Sequence, residues 1–111
     1  MIIYSKKALS IKYDDKEIRG ILNDYVEKHK SDVFSYHQFC NYLFDYADAH
    51  NQLGKESNTT YLSAEMMPED YSRVSKILWE KIWDREICID FYHNPYSQNF
   101  IDDTRFVIIN R

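Results

Sequence analysis

The residues of this 111-residue chain that could bind a metal are few, and their spacing limits what they can do. His37 and Cys40 are three positions apart, which on a helix places them about one turn from each other and permits chelation. Zinc sites normally use four ligands in paired motifs, and the sequence holds no second pair of this kind. Cys40 also falls on an apolar stripe, where a packing role is favoured. We therefore predict no metal site.

Acid–base or nucleophilic catalysis would need a nucleophile close to a histidine that a carboxylate orients. Ser35, His37 and Asp102 provide these residue types, but nothing in their spacing brings them together. The adjacent carboxylates Asp14 and Asp15 are better explained as the cap of a helix. With only two glycines in the chain, a glycine-rich phosphate loop is not possible. We predict that the protein is not an enzyme and has no catalytic residues and no cofactor.

Binding chemistry is indicated more clearly, by two tryptophans. Trp79 and Trp83 are four positions apart on a predicted helix and lie off its apolar stripe. Tryptophan is enriched at the energetic centres of protein interfaces, so this pair could be an exposed anchor. Tyr42 and Tyr46 lie on a second stripe of the preceding helix, and we predict that these four residues bind a protein partner or a second copy of the chain. The alternative is that the C-terminal hairpin or an N-terminal strand covers the indoles.

A second candidate set would suit nucleic acid. Side chains near the start of a recognition helix reach base edges, and polar side chains at the tip of a hairpin can hydrogen-bond to a backbone. In this chain the candidates for such contacts are Ser72, Arg73, Lys76, Asn94, Tyr96 and Gln98.

The distribution of charge argues against DNA as the main partner. The net charge is −4, and residues 1–30 hold seven Lys/Arg and five Asp/Glu, which leaves seven and thirteen for the rest of the chain. A protein that wraps duplex DNA usually offers a basic face, because neutralised phosphates supply most of its affinity. The part that would enter a groove is net acidic.

Composition places the chain among ordinary globular proteins, with 44% hydrophobic and 29% charged residues. The unusual value is 16% aromatic residues, among them 10 Tyr and 6 Phe, which suit both a small core and a contact surface. No apolar run is long enough to span a bilayer, and the N-terminus lacks the long apolar stretch of a secretory signal. We expect no membrane association, a cytoplasmic location, and reduced thiols at Cys40 and Cys88.

Hydrophobic periodicity predicts the elements that must position these residues. The predicted order is an N-terminal arm or edge strand (1–13), helices over 16–30, 35–51 and 68–84, a flexible loop at 52–63, and strands over 86–93 and 104–110. The last two strands are apolar on both faces. Something must cover the second face, and residues 2–4 are a candidate for this.

Three segments carry a family resemblance: Tyr71-Ser-Arg-Val-Ser-Lys-Ile-Leu-Trp, Glu86-Ile-Cys-Ile-Asp-Phe and Thr104-Arg-Phe-Val-Ile-Ile. A helix, a strand, a polar tip and a second strand, preceded by two helices, resembles the winged helix-turn-helix superfamily. The resemblance implies an α+β fold, in which residues 1–111 form one three-helix winged helix-turn-helix-like domain with a C-terminal β-hairpin wing, which an N-terminal strand could extend. It also implies DNA readout through the third helix and the wing. The long second helix, the long loop after it and the acidic charge depart from the family pattern.

We therefore expect a non-catalytic protein-interaction module of winged-helix type that acts through an aromatic and acidic surface. The alternative is a DNA-binding transcriptional or replication regulator that uses helix 68–84 and the wing. The regulator would bind DNA with an affinity that falls steeply with added salt, whereas a scaffold for protein contacts would not bind DNA.

Overall fold

The structure, a computed structural model, describes residues 2–4, 7–28, 33–55, 59–90 and 105–109. Within these residues the chain forms three helices, α1 (Asp15–Lys28), α2 (Tyr36–Ala49) and α3 (Pro68–Trp83). The strands of the same residues are β1 (Ile2–Tyr4), β2 (Lys7–Leu9), β3 (Val33–Ser35), β4 (Thr59–Tyr61), β5 (Ala64–Met66), β6 (Ile87–Ile89) and β7 (Arg105–Ile108). The predicted α+β class is confirmed, and the described ends of the helices lie within two residues of the predicted ones.

Side-chain caps set the starts of the first two helices. Asp14 Oδ1 accepts a hydrogen bond from the Glu17 amide at 2.8 Å, and Glu17 Oε1 accepts one from the Asp14 amide at 3.3 Å. Ser35 Oγ accepts from the Gln38 amide at 3.1 Å, and Gln38 Oε1 accepts from the Ser35 amide at 2.8 Å. Because each cap satisfies amides that have no partner within the helix, α1 and α2 begin at defined positions.

The turns after two of the helices contain a residue in the left-handed region of backbone conformation. Asn51 follows α2 with φ 58°, and Arg85 follows α3 with φ 60°. After α3 the Glu86 amide donates back to the Lys81 carbonyl at 3.0 Å, which is the long hydrogen bond of a Schellman motif. Asparagine tolerates this conformation, whereas an arginine side chain makes it costly.

A three-stranded antiparallel sheet in the order β3–β7–β6 joins the start of α2 to the C-terminal hairpin. Phe34 pairs in register with Phe106, which also pairs with Ile89, and all three side chains are buried. The Phe34 and Phe106 rings lie 5.3 Å apart between centroids. A strand therefore precedes α2 where the sequence predicts only a helix from residue 35. Residues 91–93, 104 and 110 of the predicted strands lie outside the described residues.

The outer face of this sheet carries an apolar row, as the alternation of the strands predicts. Val33 of β3, Val107 of β7 and Cys88 of β6 lie side by side across the three strands. Val33 is exposed, and the other two are half-buried. Residues 2–4, the candidate for covering this face, are not a strand of this sheet.

Those residues belong instead to a parallel ribbon. β1 pairs with β4 and β2 pairs with β5, and in both cases each residue faces one that lies 57 positions later, from Ile2 with Thr59 to Leu9 with Met66. The segment 52–63, predicted as a flexible loop, thus contains β4, and Leu53 forms a bridge with Ile11. Residues 56–58 lie outside the described residues. The ribbon ties the N-terminal arm to the connection between α2 and α3.

One cluster of buried apolar side chains draws on all three helices, the sheet and the ribbon, and includes Leu9, Ile18, Leu22, Phe34, Phe39, Leu43, Met66, Val74, Ile77, Leu78, Ile87 and Phe106. The predicted core stripe of α2 is confirmed, because Tyr36, Phe39, Cys40, Leu43 and Ala47 are its buried residues. None of the described helices combines the length and the apolar composition needed to cross a bilayer.

Candidate interaction surface

The helix α3 has a buried side and an outer side along its whole length. Val74, Ile77 and Leu78 are completely buried against the core. On the opposite side, exposed residues recur at spacings of three and four positions: Glu69, Ser72, Lys76, Trp79 and Trp83. We refer to these five residues as the outer face of α3.

The two tryptophans are the large apolar residues of this outer face. Trp83 is 79% exposed and Trp79 is 37% exposed. They are the only tryptophans of the chain, and they lie off the buried stripe as predicted. A single exposed apolar side chain is ordinary on a protein surface, but two exposed indoles one turn apart form a patch that needs an explanation.

Tyr42 and Tyr46, predicted to share a surface with the tryptophans, have other neighbours. Both are half-buried, and the Tyr42 ring lies 4.9 Å from that of Tyr25 and 6.1 Å from that of Tyr46. Tyr46 in turn contacts Tyr13 at 6.1 Å and stacks on His50 at 4.2 Å. The structure thus places the tyrosines in an aromatic row with α1 and the segment before it, while the tryptophans belong to the outer face of α3.

Arg73, predicted to read DNA bases, is committed to contacts within the chain. Its guanidinium donates to the Tyr13 carbonyl at 2.7 Å and to the Ile11 carbonyl at 3.2 Å. It also donates to Asp70 Oδ1 from Nη2 at 2.7 Å and from Nε at 3.1 Å, and Asp15 Oδ1 lies 3.3 Å from Nη1. The guanidinium N–H groups are thus directed to the N-terminal segment and to the first turns of α1 and α3, and not to solvent.

Asp70 is the carboxylate that holds Arg73, and sequence patterns fail to identify this pairing. It is 5% exposed, and its Oδ2 accepts a hydrogen bond from the Ile11 amide at 2.9 Å while Oδ1 serves Arg73. We refer to Asp70, Arg73 and their contacts with residues 11–15 as the staple. The one signal in the sequence is the spacing of three between Asp70 and Arg73, which is common on helices and does not predict burial.

The nucleic-acid set is therefore only partly available for contacts. Ser72 and Lys76 are exposed, and Lys76 Nζ lies 3.5 Å from Asp15 Oδ2. Arg73 is held by the staple. The three candidates at the hairpin tip lie outside the described residues: Asn94, Tyr96 and Gln98.

The possible metal ligands His37 and Cys40 have different environments. His37 is exposed, with the Asn41 side-chain amide 2.9 Å from its Nε2, whereas Cys40 is buried in the core. In the described part of the chain, no three His, Cys, Asp or Glu side chains are placed to hold a metal ion. Cys40 therefore packs in the core, while His37 faces solvent.

Tyr36 connects α2 to α3 through a buried hydroxyl. It donates to the Tyr71 carbonyl at 2.9 Å and accepts from Ser75 Oγ at 3.0 Å. Burial raises the pKa of the Tyr36 phenol, and the hydrogen bond from Ser75 opposes this only in part. The hydroxyl therefore stays protonated and holds two helices together, which suits a structural role.

Two open clefts lie away from the outer face of α3. One, of about 350 Å³, is lined by Val33, Phe34, Ser35, Gln38 and Arg105. The other, of about 340 Å³, lies between the ribbon and α2 and is lined by residues that include Leu9, Phe44, Leu53, Lys55 and Ala64. Ser35 and Gln38 already bond to each other in the α2 cap, and Lys55 is 2.6 Å from Asp48. Among the described residues, neither lining holds a histidine or a cysteine that could act as a base or a nucleophile.

Comparisons of the chain with models of protein families, with curated proteins and with solved structures found no match. Function has to be inferred from the surface of the chain itself. Among the large apolar side chains of the described residues Trp83 is the most exposed, and Trp79 lies one turn from it on the same face.

Proposed function

We propose that this chain is a non-catalytic protein-interaction domain of winged-helix type that binds its partner through the outer face of α3. The observation that carries the proposal is the exposure of Trp79 and Trp83, one turn apart on a helix whose other side is fully buried. The order of three helices and a C-terminal hairpin supports the winged-helix type, as does β3, which joins α2 to the sheet of the hairpin.

Burial of Trp83 by a partner would be a substantial source of affinity. An indole side chain offers up to about 250 Å² of surface, so its exposed part is about 200 Å² and would contribute up to about 5 kcal/mol before the costs of association. Tryptophan has only two side-chain torsions, so holding it in an interface costs little conformational entropy. These properties make Trp83 the expected main source of affinity, with Trp79 beside it.

A rigid support makes the outer face of α3 suitable for recognition. Arg73 ties α3 to residues 11–15, and Arg19 of α1 lies 2.6 Å from Glu80. Tyr36 ties the N-terminal half of the helix to α2. A surface that is already in its binding geometry loses less entropy on association than a mobile one.

DNA binding is the alternative proposal, supported by the exposure of Ser72 and Lys76 on the same outer face. Two observations weigh against it: the net charge of −4 and the use of Arg73 within the staple. A reader of DNA needs cations that face phosphates and base edges, and the described part of α3 directs its strongest cation inward.

Site-specific photo-crosslinking tests the proposal. A photo-reactive amino acid replaces Ser72, on the outer face, or Asn41, an exposed residue of α2 that serves as the control. We expect a discrete protein–protein product from position 72 and none from position 41. The product should disappear in a Trp83→Ala background and persist with Leu62→Ala, because Leu62 is 70% exposed but lies outside α3.

Equal products from both positions, or products that do not depend on Trp83, would refute the proposed surface. The DNA alternative is tested in parallel by the fluorescence anisotropy of labelled random-sequence duplex, at about 20 and about 200 mM salt. Tight binding that weakens steeply between these two salt concentrations would favour the alternative.

A further inference from the structure

We propose that the partner of the outer face of α3 is the same face of a second copy of this chain, with the two helices antiparallel. This inference rests on the proposed function and names its partner. A symmetric dimer requires a surface that is complementary to itself, because a two-fold axis brings one patch against its own copy.

The outer face of α3 has two unlike halves. Its N-terminal half carries Glu69, Ser72 and Lys76, and its C-terminal half carries Trp79 and Trp83. The spacing of three, four, three and four positions is that of a coiled-coil seam, which follows one side of a helix. The seam runs for about 21 Å along the helix, and its part from Ser72 to Trp83 runs for about 17 Å.

A two-fold axis midway between Lys76 and Trp79 makes these halves complementary. It places Lys76 opposite the partner's Trp79, and the reverse contact forms by symmetry. Lys76 is 65% exposed, and its ion pair with Asp15, at 3.5 Å, is weak because both groups are solvated. Its ammonium can therefore turn to the indole face, a cation–π contact.

The same axis places Ser72 opposite the partner's Trp83. A small side chain opposite a large one allows the helices to approach, as in well-packed cores. The antiparallel direction also sets the two helix dipoles in their favourable orientation. Glu69 has no counterpart on the partner helix, because the position opposite it lies beyond the end of α3 at Trp83. A parallel pairing would instead set Lys76 against its own copy.

The area involved indicates a weak dimer. The exposed parts of the two indoles amount to about 300 Å² in each copy, so both copies bury about 600 Å² through them. Stable interfaces bury about 1,200–2,000 Å² in total, so the remaining outer-face residues would have to supply the rest. We expect a dissociation constant on the order of 100 µM.

Sedimentation velocity and intrinsic fluorescence of the full chain, from about 1 µM to about 1 mM protein, test this inference. Because both tryptophans lie on the proposed interface, their emission should shift to shorter wavelength as the sedimentation coefficient rises. We expect Trp83→Ala to raise the dissociation constant about 10-fold or more and Leu62→Ala to leave it unchanged. Lys76→Glu should raise it several-fold, because a carboxylate would meet the negative face of the indole. Circular dichroism confirms that each variant is folded.

The outcomes separate this inference from the proposed function. A chain that stays monomeric at the highest concentration, with unchanged emission, overturns the self-association and leaves the outer face for a different protein. A dimer that persists unchanged with Trp83→Ala forms through another surface; it overturns the self-association through α3 and leaves the proposed function to the crosslinking test. A dimer that Trp83→Ala weakens and Lys76→Glu does not overturns the antiparallel register.

Discussion

Removal of the Asp70 carboxylate should destabilise the fold more than any other single loss of charge in α3. In Asp70→Ala the buried Ile11 amide loses its acceptor, and the Arg73 guanidinium loses both hydrogen bonds to this carboxylate. Breaking a buried ion pair on one side typically costs about 3–5 kcal/mol. Arg73 keeps Asp15 and two backbone carbonyls and is partly exposed, so we expect a decrease in the free energy of unfolding of about 2–3 kcal/mol.

The matched control is Glu69→Ala. Glu69 is also an acidic residue in the first turn of α3, but it is exposed. Its removal should cost only about 0.5 kcal/mol, through the loss of a favourable interaction with the helix dipole. Both substitutions remove one carboxylate from the same turn, so the difference between their free energies of unfolding measures the contribution of the staple.

Urea unfolding followed by far-ultraviolet circular dichroism measures both free energies. Arg73→Met, which retains an apolar stem, completes a double-mutant cycle with Asp70→Ala, and we expect a coupling energy of about 1–3 kcal/mol. Equal losses for Asp70→Ala and Glu69→Ala, or a coupling energy near zero, would refute the inference that the staple anchors residues 11–15 to α3.

Three further predictions concern the backbone and the buried phenol. In urea unfolding, the Arg85→Gly variant should be about 1 kcal/mol more stable than the Arg85→Ala variant. Both substitutions remove the side chain, but only glycine adopts a φ of 60° without strain. Equal free energies of unfolding would refute strain at this turn. Gly20 lies within α1 and has open space around an added Cβ. Gly20→Ala should therefore raise the free energy of unfolding by about 0.5–1 kcal/mol, measured as a higher melting temperature. Because burial raises the Tyr36 pKa in the folded state, the unfolded chain loses this proton first, and stability falls as pH rises above about 10. Tyr36→Phe should remove that part of the loss, measured as the difference between wild-type and variant unfolding curves from neutral to alkaline pH.

Local patterns in the sequence predict the helices and much of the core. The spacing of Ile18, Ile21, Leu22 and Tyr25 predicts the buried side of α1, and Asp14 predicts where it starts. These features are encoded by residues within a few positions of one another. The parallel ribbon is not, because it pairs residues 57 positions apart through backbone groups that every sequence has. A strand of three residues such as β3 is too short for alternation to be recognised.

The residues of the candidate surface are likewise predictable only where their placement depends on local spacing. Trp79 and Trp83 can be placed off the buried stripe of α3 from helical spacing alone. The internal hydrogen bonds of Arg73 cannot be predicted in this way, because two of its acceptors are the backbone carbonyls of Ile11 and Tyr13. Every residue has such a carbonyl, so the sequence does not distinguish these two. Helical spacing would pair Arg73 with Glu69, one turn earlier, whereas the structure pairs it with Asp70. Predictions about a side chain that crosses to a distant segment require the fold itself.

On our proposal α3 has two parts with separate roles: the staple stabilises the fold, and the indoles bind a partner. Asp70 and Asp15 neutralise Arg73 within the chain, so this cation does not face solvent as a phosphate contact would require. Trp83, in contrast, is 79% exposed. Asp70→Ala should therefore lower the free energy of unfolding and weaken association of the folded protein much less than Trp83→Ala does. Trp83→Ala should weaken association and leave the free energy of unfolding nearly unchanged. If one substitution changed both properties to the same degree, the outer face of α3 would be part of the folding core and not a surface kept for a partner.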